Sequence, residues 1–273
     1  MLKLTSLFGL LMLLPQLSFS QKTQDEEIFD RLLKNTDKNT RQSSILYFAK
    51  QFLGKPYVGH TLEGNKQEVL VVNLREFDCV TLVENVVALA QTQHSAKPDF
   101  QTFKENLQKI RYRKGKIEDY ASRLHYFSDW LYEHQQDGMI ELLNKKWGGV
   151  IYEKPIYFMS RNANKYPQLG DKEVLAKIVF TESALNRRHY YYIPKTEIAK
   201  IENQIEDGDI ISICTNVVGL DFSHEGFAFR QNGHIYLLHA SSEHKKMMIS
   251  ELPLVDYLAS HKAQIGIVVA RLK

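Results

Sequence analysis

One of the two cysteines in the chain follows an aspartate at the head of an apolar run. Residues 77–84 read FDCVTLVE, and the apolar residues of 82–90 recur at the spacing of one helix face. Asp78 is a favourable N-cap residue, so Cys79 is predicted to lie in the first turn of a helix. There the free backbone N–H groups and the positive end of the helix dipole favour a thiolate, the nucleophilic form of cysteine. The same N–H groups could donate to an oxyanion.

A predicted β-hairpin carries two histidines close to one another. The pair Asn-Gly at 232–233 stands between two apolar-rich runs, which is typical of a two-residue type I′ turn and fixes the strand register. In that register Gln231 lies opposite His234. His224 and His239 become diagonal neighbours on one face, with backbones about 7–8 Å apart, so their imidazoles can meet. The residues sharing the histidine face are Gly226, Ala228, Ile235 and Leu237, and those on the other face are Phe227, Phe229, Tyr236 and Leu238.

These two signals combine into one hypothesis for a catalytic group. Small residues beside the histidines leave room for another element, and we expect the Cys79 helix to pack on that face. His224 would act as general base and later as acid, and His239 would hold its ring in position. The alternative is that each residue is structural, because a lone cysteine is more often a small buried hydrophobe and a lone strand histidine is more often only hydrogen-bonded.

The second cysteine leaves a further alternative open. Cys214 lies inside a predicted strand at 210–215 and is expected to be part of the core. A disulfide between Cys79 and Cys214 would suit an exported protein. Basic partners around Cys79 would instead favour a free thiol.

The pattern of apolar residues predicts an α+β fold. Two helices are expected within residues 26–52, separated near 35–39, and further helix from 99 to about 133. A β-branched run at 69–74 predicts a short strand, and from residue 205 onward strands dominate. Helices first and strands last indicate segregated layers.

Composition narrows the class of partner. Of 273 residues, 44% are hydrophobic and 25% are charged, which is ordinary for a globular chain. The formal net charge is only +3, and the one dense basic run, at 111–116, is more typical of a solvated face than of a phosphate-binding strip. Nucleic acid is therefore not expected as a partner.

The N-terminus has the pattern of a secretory signal peptide. Lys3 precedes an apolar run at 7–14, and residues 18–20, SFS, fit the small-x-small pattern of a cleavage site. The run is short for a membrane span, and no cysteine follows it that could take a lipid. An uncleaved anchor is the alternative. We predict that residues 1–20 are removed and that 21–273 form a single exported domain, periplasmic or secreted, without stable membrane insertion.

At the proposed catalytic residues the chain resembles the NlpC-type branch of papain-like cysteine hydrolases. Members of that branch carry an Asp-Cys step opening a helix, a His-x-Gly strand and a third polar residue, often His, on the next strand. They also tend to have a Pro-Tyr step before the nucleophile. The matching positions here are Asp78-Cys79, His224-Glu225-Gly226, Leu238-His239-Ala240 and Pro56-Tyr57. The resemblance implies a papain-like α+β fold, a Cys-His-His triad and a supporting role for Tyr57 near the oxyanion.

More narrowly, three segments resemble a family of secreted bacterial N-acetylmuramoyl-L-alanine amidase-like proteins within that superfamily. They are FDCVTLVE, SRLHYFSDW at 122–130 and GLDFSHEGFA. The match runs from about residue 53 to the C-terminus and includes a helical insertion at about 95–200. It implies cleavage of the amide between N-acetylmuramic acid and L-alanine in peptidoglycan fragments. Asp-Cys is followed here by Val80-Thr81, where many peptidoglycan endopeptidases have Ser-Gly.

Such a substrate needs a cleft that accepts a sugar on one side and a short peptide on the other. Asp78 and Arg123 are predicted to contact substrate, together with His125, Tyr126 and Trp130, which offer rings for a sugar face. The alternative is that the aromatic residues of this segment are simply core. No metal or cofactor is expected.

Three rival functions remain open at this stage. A γ-D-glutamyl endopeptidase would use the same chemistry on another bond. A zinc amidase would use His224 and His239 as ligands beside a cysteine. A non-catalytic wall-binding module would keep the fold without turnover.

Overall fold

The computed structural model describes residues 22–34 and 40–273, so the predicted signal segment 1–20 lies outside the described residues. The helices there are α1 (Gln24–Lys34), α2 (Arg41–Gln51), α3 (Cys79–Gln93), α4 (Phe100–Arg111), α5 (Phe127–Gln136), α6 (Phe158–Arg161), α7 (Lys172–Leu185), α8 (Ile198–Ile201) and α9 (Leu254–Ser260). The strands are β1 (Ile140–Leu142), β2 (Val150–Ile151), β3 (Tyr191–Pro194), β4 (Ile210–Thr215), β5 (Phe222–Gln231), β6 (His234–Ser241), β7 (Lys246–Ile249) and β8 (Gln264–Leu272). No helix in this part of the chain is long and apolar enough to cross a membrane.

The strands of the described residues join one antiparallel sheet. Seven of them follow the order β2-β3-β8-β4-β5-β6-β7, and β1 pairs with β8 beside that path. The predicted combination of helices and an antiparallel sheet is confirmed. The segment at about 95–200, predicted as a helical insertion, is only partly helical, because β1, β2 and β3 come from it and two of them pair directly with β8.

Apart from the run at 69–74, helices and strands outside that segment lie close to where the sequence predicts them. Helix α1 ends at Lys34 and α2 begins at Arg41, on either side of the expected separation. The C-terminal part contains β4 to β8, with the short helix α9 between the last two. The helix predicted from 99 to about 133 is interrupted, because α4 ends at Arg111 and α5 begins only at Phe127.

Helix α3 is the central helix on one face of the sheet. Nearly all of it is buried, and Leu82 and Val83 are fully so. Burial of each such side chain contributes about 1.5–3 kcal/mol. A capping box fixes its start: Asp78 Oδ1 accepts from Thr81 N–H at 2.8 Å, and Thr81 Oγ1 accepts from Asp78 N–H at 2.9 Å. The prediction that Cys79 begins a helix capped by Asp78 is confirmed, and this carboxylate, predicted to contact substrate, serves as the helix cap.

Helix α9 covers the opposite face of the sheet. Its Leu254 and Leu258 belong to one buried cluster with Ala228, Ile235 and Leu237 of the hairpin. The hairpin formed by β5 and β6 therefore lies between two packed layers. Both faces of its strands are withdrawn from water, which is why polar side chains on either face need partners.

Residues 69–74 do not form a strand, so that prediction is wrong. The carbonyl groups of this run accept hydrogen bonds from side chains instead of from a neighbouring strand. Arg111 Nη1 donates to Val71 O at 2.6 Å, and the Tyr112 hydroxyl donates to Val69 O at 3.1 Å. The run of β-branched residues reflects packing against the core, which Val72 shares, and not strand pairing.

Candidate active site

The β5–β6 hairpin has the predicted register. Gln231 pairs with His234 across the turn, and the residues at 232–233 have positive φ values of 51° and 84°, as a type I′ turn requires. The two histidines meet as expected. His224 Nε2 lies 2.6 Å from His239 Nδ1, and the ring planes are nearly perpendicular, at 86°. One imidazole therefore orients the other.

The nucleophile helix packs on the face of the hairpin opposite to the histidines, so the prediction of a shared face is wrong. Phe227 and Leu238 belong to the same buried cluster as α3. On the other face the Tyr257 ring of α9 meets His239, with ring centroids 5.8 Å apart. Helix α3 is buried almost all round, and the large apolar side chains Phe227 and Leu238 offer it more surface than the small residues beside the histidines do.

The β5–β6 ladder ends before it reaches the histidines. Its last paired residues are Phe227 and Leu238, while the following residues of β6 pair with β7. A Cβ atom at Gly226 would lie 2.8 Å from Leu238 O and 3.0 Å from His239 Cβ, so the close approach here requires glycine. Beyond Gly226 the two strands are no longer paired.

Cys79 opens α3 and lies against β5. Its side chain is partly exposed, Cys214 is buried, and no disulfide joins them. Glu225, the residue after His224, lies close enough to Cys79 for its charge to act on the thiol. The N-terminal end of α3 thus reaches the strand directly beside His224. The expectation that Cys214 belongs to the core is confirmed.

The surroundings of Cys79 oppose the thiolate in the free protein. Burial, followed by the charges of Glu225 and Asp78, raises the pKa of the Cys79 thiol well above its usual value. The prediction that this position favours a thiolate is wrong for the free protein. A helix dipole contributes only about 0.3–1 kcal/mol at an exposed terminus, and desolvation together with two carboxylates outweighs it.

Glu225 is a site residue that the sequence analysis missed. It is only 3% exposed and lies on the α3 side of β5 with Phe227, since alternate residues of a strand share a face. Burial raises the pKa of its carboxyl to about 8, the nearby Cys79 thiol opposes that rise, and the nearby carboxyls of Asp221 and Asp78 add to it. A charged residue directly before the apolar run 226–229 of β5 was the available signal.

Both histidines are held neutral by their surroundings. Burial lowers the pKa of His224 to about 4, with a further contribution from His261. Burial also lowers the pKa of His239 to about 2, and the charge of His224 is the next largest cause. A neutral imidazole can accept a proton, so His224 is chemically able to act as a base.

Tyr57 lies close to the cysteine, at the position that the resemblance indicated. Its N–H donates to Lys245 O at 3.0 Å, and its backbone bridges to Phe77 just before α3. Burial raises the pKa of the Tyr57 hydroxyl to about 12, and the charges of Cys79 and Asp78 contribute. The hydroxyl therefore remains a hydrogen-bond donor over the ordinary pH range.

Arg123 and His125 are not available to a substrate in the way the sequence analysis expected. Arg123 is buried, and its guanidinium donates to Glu63 Oε1 at 2.6 Å and to Glu68 Oε2 at 2.8 Å. His125 Nε2 lies 2.6 Å from Tyr120 O, and burial lowers its pKa to about 3. Both predicted contacts are corrected, because a buried cation needs internal partners and Glu63 and Glu68 supply them.

Tyr126 and Trp130 are core residues, so their predicted contact with a sugar is also wrong. Tyr126 is 3% exposed and its hydroxyl donates to Glu182 at 2.7 Å. Trp130 is fully buried and stacks on Phe127, with ring centroids 4.7 Å apart. The alternative in which these rings belong to the core describes the structure.

This end of the sheet has a free thiol on α3 and a pair of contacting imidazoles on the β5–β6 hairpin. The free thiol of Cys79 lies close to the strand that carries His224, and His224 contacts a second imidazole. Such a group can do acyl-transfer chemistry on an amide or ester. Within residues 22–34 and 40–273, no cluster of three or more His, Cys, Asp or Glu side chains is arranged to hold a metal ion.

Several solved structures of known proteins are similar to this chain. An N-acetylmuramoyl-L-alanine amidase from Bacteroides uniformis is 39% identical, with a TM-score of 0.82 over 86% of this chain and 100% of that chain. A Bacteroides fragilis protein provisionally named a xylanase is 35% identical, with a TM-score of 0.79 over 82% of this chain and 99% of that one. A Legionella pneumophila protein of the DUF1460 family shares the fold, at 23% identity and a TM-score of 0.68, covering 91% of this chain and 94% of that one. A search of curated proteins found no significant match.

The sequence model of the AmiA-like family, described as N-acetylmuramoyl-L-alanine amidase-like, matches residues 47–267. That range contains α3 with Cys79 and the hairpin with His224 and His239. The chain therefore belongs to the AmiA-like, N-acetylmuramoyl-L-alanine amidase-like family.

Proposed function

We propose that the protein is a cysteine-dependent N-acetylmuramoyl-L-alanine amidase of the NlpC-type, papain-like superfamily. Its substrate would be the amide between the lactyl group of N-acetylmuramic acid and L-alanine in peptidoglycan fragments. Membership of the family supports the reaction. The observation that carries the mechanism is the hydrogen-bonded pair His224–His239 beside the strand residue that lies close to Cys79.

The free protein would hold its catalytic group in an uncharged form. The pKa of the Cys79 thiol is raised and that of His224 is lowered, so the thiol keeps its proton until a substrate arrives. In the reaction His224 takes the proton from Cys79 as the sulfur attacks the carbonyl carbon. His239 holds the ring of His224 and stabilises the imidazolium that forms.

The remaining steps follow from the same groups. The tetrahedral oxyanion would receive hydrogen bonds from the free N–H groups in the first turn of α3, with the Tyr57 hydroxyl as an added donor. His224 then returns the proton to the nitrogen of L-alanine, the C–N bond breaks, and a thioester remains on Cys79. A water molecule activated by His224 hydrolyses that thioester and restores the thiol.

The cellular setting is part of the proposal. The signal-like pattern at 1–20 supports export to the periplasm or the exterior, where peptidoglycan fragments are available. Removal of the signal peptide would be measured by determining the N-terminal sequence of the protein recovered from its native host. A mature chain that begins near residue 21 would support export, and an intact leader in the cytoplasm would contradict it.

Mass spectrometry of products from one defined muropeptide tests the reaction. Release of the intact sugar and of a peptide beginning with L-alanine is expected for wild type, and neither product for Cys79→Ser. Cleavage inside the stem peptide would instead identify a γ-D-glutamyl endopeptidase. Activity that survives thiol alkylation but not a chelator would identify a zinc enzyme. Unchanged wall binding without any product would identify a binding module.

A further inference from the structure

Residues 58–76 form a closed loop beside the start of α3. They contain no helix or strand, and connections without secondary structure that exceed about 12–15 residues are usually functional. The ends of the loop are joined, because Val58 N–H donates to Phe77 O at 2.9 Å. Tyr57 directly precedes this neck and Cys79 follows it by two residues. The 58–76 loop therefore begins and ends at the candidate active site.

Arg123 binds the middle of the 58–76 loop. Its guanidinium donates to both carboxylate oxygens of Glu68, at 3.0 and 2.8 Å, and to Glu63 Oε1 at 2.6 Å. It also donates to Leu62 O at 3.4 Å. Arg123 is buried, and a two-pronged contact between a guanidinium and a carboxylate fixes both distance and orientation. The side chain of Arg123 thus holds three residues of the loop at once.

This contact is anchored on the helix that carries the cysteine. The backbone around Arg123 pairs with the end of α4, where Leu124 N–H donates to Arg111 O at 2.9 Å. Arg111 Nε in turn donates to Glu84 Oε2 of α3 at 2.6 Å, and both side chains are buried. Arg111 Nη1 donates to Val71 O of the loop at 2.6 Å. A chain of charged groups therefore connects α3 through α4 to the loop.

These buried charges serve to define a position. A buried ion pair contributes little net stability, because the cost of removing both charges from water offsets their attraction. Its geometry is specific, however, since the donors of a guanidinium point in fixed directions. The 58–76 loop has no strand partner that could define its position, so Arg111 and Arg123 supply the contacts that do.

The exposed middle of the loop borders a cavity. Residues 64–67 are exposed, and residues 65–68 line a cavity of about 600 Å³ together with Tyr120 and Gln168. This volume is within the range of about 300–1,000 Å³ that is usual for small-ligand sites. Gln168 Nε2 donates to Glu63 Oε2 at 3.1 Å, and its buried Oε1 accepts no hydrogen bond from the described residues. The loop thus has the cysteine at its neck and a cavity of ligand size at its middle.

We propose that the 58–76 loop forms one wall of the substrate cleft and that Arg123 is the positioning residue that holds this wall in place. The inference rests on the proposed function, because a peptidoglycan fragment is larger than the amide cleaved at Cys79 and needs binding surfaces beyond it. Contacts with remote parts of a substrate supply binding energy that a displaced wall cannot supply. The neck is held separately by backbone hydrogen bonds, so a looser wall weakens binding more than it slows the step at Cys79.

Arg123→Lys tests this role, because it keeps the positive charge that the carboxylates need and removes the two-pronged geometry. For a defined muropeptide, kcat/KM should fall by about tenfold, with most of the loss in KM. Arg271→Lys is the matched control, since Arg271 also donates to both carboxylate oxygens of Asp209, at 2.8 Å each, and to Glu206 Oε1 at 2.6 Å. It should keep the wild-type constants. A loss confined to kcat in Arg123→Lys, or equal constants in the two variants, would overturn the proposal.

Trypsin gives a readout that needs no substrate, because Lys66 is exposed in the middle of the loop. Cleavage after Lys66 in the folded protein, followed by mass spectrometry, should be several-fold faster in Arg123→Lys than in wild type or Arg271→Lys. Equal cleavage rates would contradict the role of Arg123. Glu63→Gln removes one partner of Arg123 and should raise both KM and the cleavage rate by a smaller factor, so it carries the same test if Arg123→Lys does not fold.

The kinetic measurement also separates this inference from the proposed function. If wild type releases no L-alanine peptide, the proposed function fails and the role of the loop as a cleft wall fails with it. If wild type is active and neither Arg123→Lys nor Glu63→Gln raises KM, the amidase reaction stands and only the role of the loop is refuted.

Discussion

The two faces of the β5–β6 hairpin carry opposite kinds of chemistry. The face under α3 has a thiol and carboxyl groups, Cys79 with Asp78 and Glu225. The face under α9 has the two hydrogen-bonded imidazoles and the Tyr257 ring. Each face alone is incomplete as a catalytic site, since one lacks a base and the other lacks a nucleophile. The paired strands separate beyond Gly226, and the proposed function requires the two faces to act together there.

Under the proposed function, the catalytic residues would come from both faces of one sheet. Consecutive residues of a strand point in opposite directions. His224 and Glu225 therefore face different layers although they are adjacent in β5. The following predictions test how far the two faces depend on each other.

Removal of the base should have the largest effect. His224→Ala is expected to lower kcat by about 10²–10⁴, because the proposed mechanism loses its general base. His239→Ala should cost less, since the base remains and only its orientation is lost. Steady-state kinetics on one muropeptide would check both, with Cys214→Ala as the control that removes a thiol outside the site. Equal losses for His239→Ala and Cys214→Ala would separate the imidazole pair from catalysis.

The junction between the faces should be sensitive to one methyl group. Gly226→Ala places a Cβ atom 2.8 Å from Leu238 O, so the strands must move and the unfolding free energy should fall by about 1–3 kcal/mol. Activity should fall further than stability accounts for, because His239 Cβ is also in contact. Gly64→Ala is the matched control, since a Cβ there meets nothing within 4 Å. Denaturant unfolding and kinetics at a temperature where both variants are folded would measure the difference.

A substitution on the α9 face should lower activity even though it leaves every ionisable group on the α3 face intact. Tyr257→Leu removes the ring that packs against His239. A fewfold loss in kcat with little change in KM is expected, because the substitution loosens the orienting imidazole and removes no reacting group. A loss confined to KM would instead assign Tyr257 to substrate contact.

The smallest effect is expected for the cap of α3. Asp78→Asn keeps an N-cap side chain and removes one of the charges that raise the pKa of Cys79. Alkylation of Cys79 should become slightly faster while stability changes little. Asp78→Ala should lose about 1 kcal/mol of stability because the N–H of Thr81 loses its acceptor. Comparison of the two variants therefore separates the effect of the Asp78 charge from its role as a helix cap.

The parts of the site that sequence could predict are those set by local chemistry. An aspartate before an apolar helical run placed Cys79 at a helix start, and an Asn-Gly turn fixed the register that brings the histidines together. Both depend on residues within a few positions of one another. Backbone sterics and capping decide them before any tertiary contact forms.

The errors concern contacts between distant segments. Alternation along β5 gave two faces, but it could not say which one α3 would cover, since that depends on the area each face buries. Arg123 was assigned to a substrate because its partners Glu63 and Glu68 lie about sixty residues away. The run at 69–74 was assigned to a strand because burial and pairing favour the same residue types.

The protonated state of the Cys79 thiol has one more consequence. Hydrogen peroxide and other oxidants attack thiolates, and a sulfur that keeps its proton is converted only slowly to sulfenic acid. If the protein is exported as proposed, an idle molecule would therefore preserve its sulfur without a disulfide to shield it, and the sulfur would become vulnerable only for the brief interval in which it is at work.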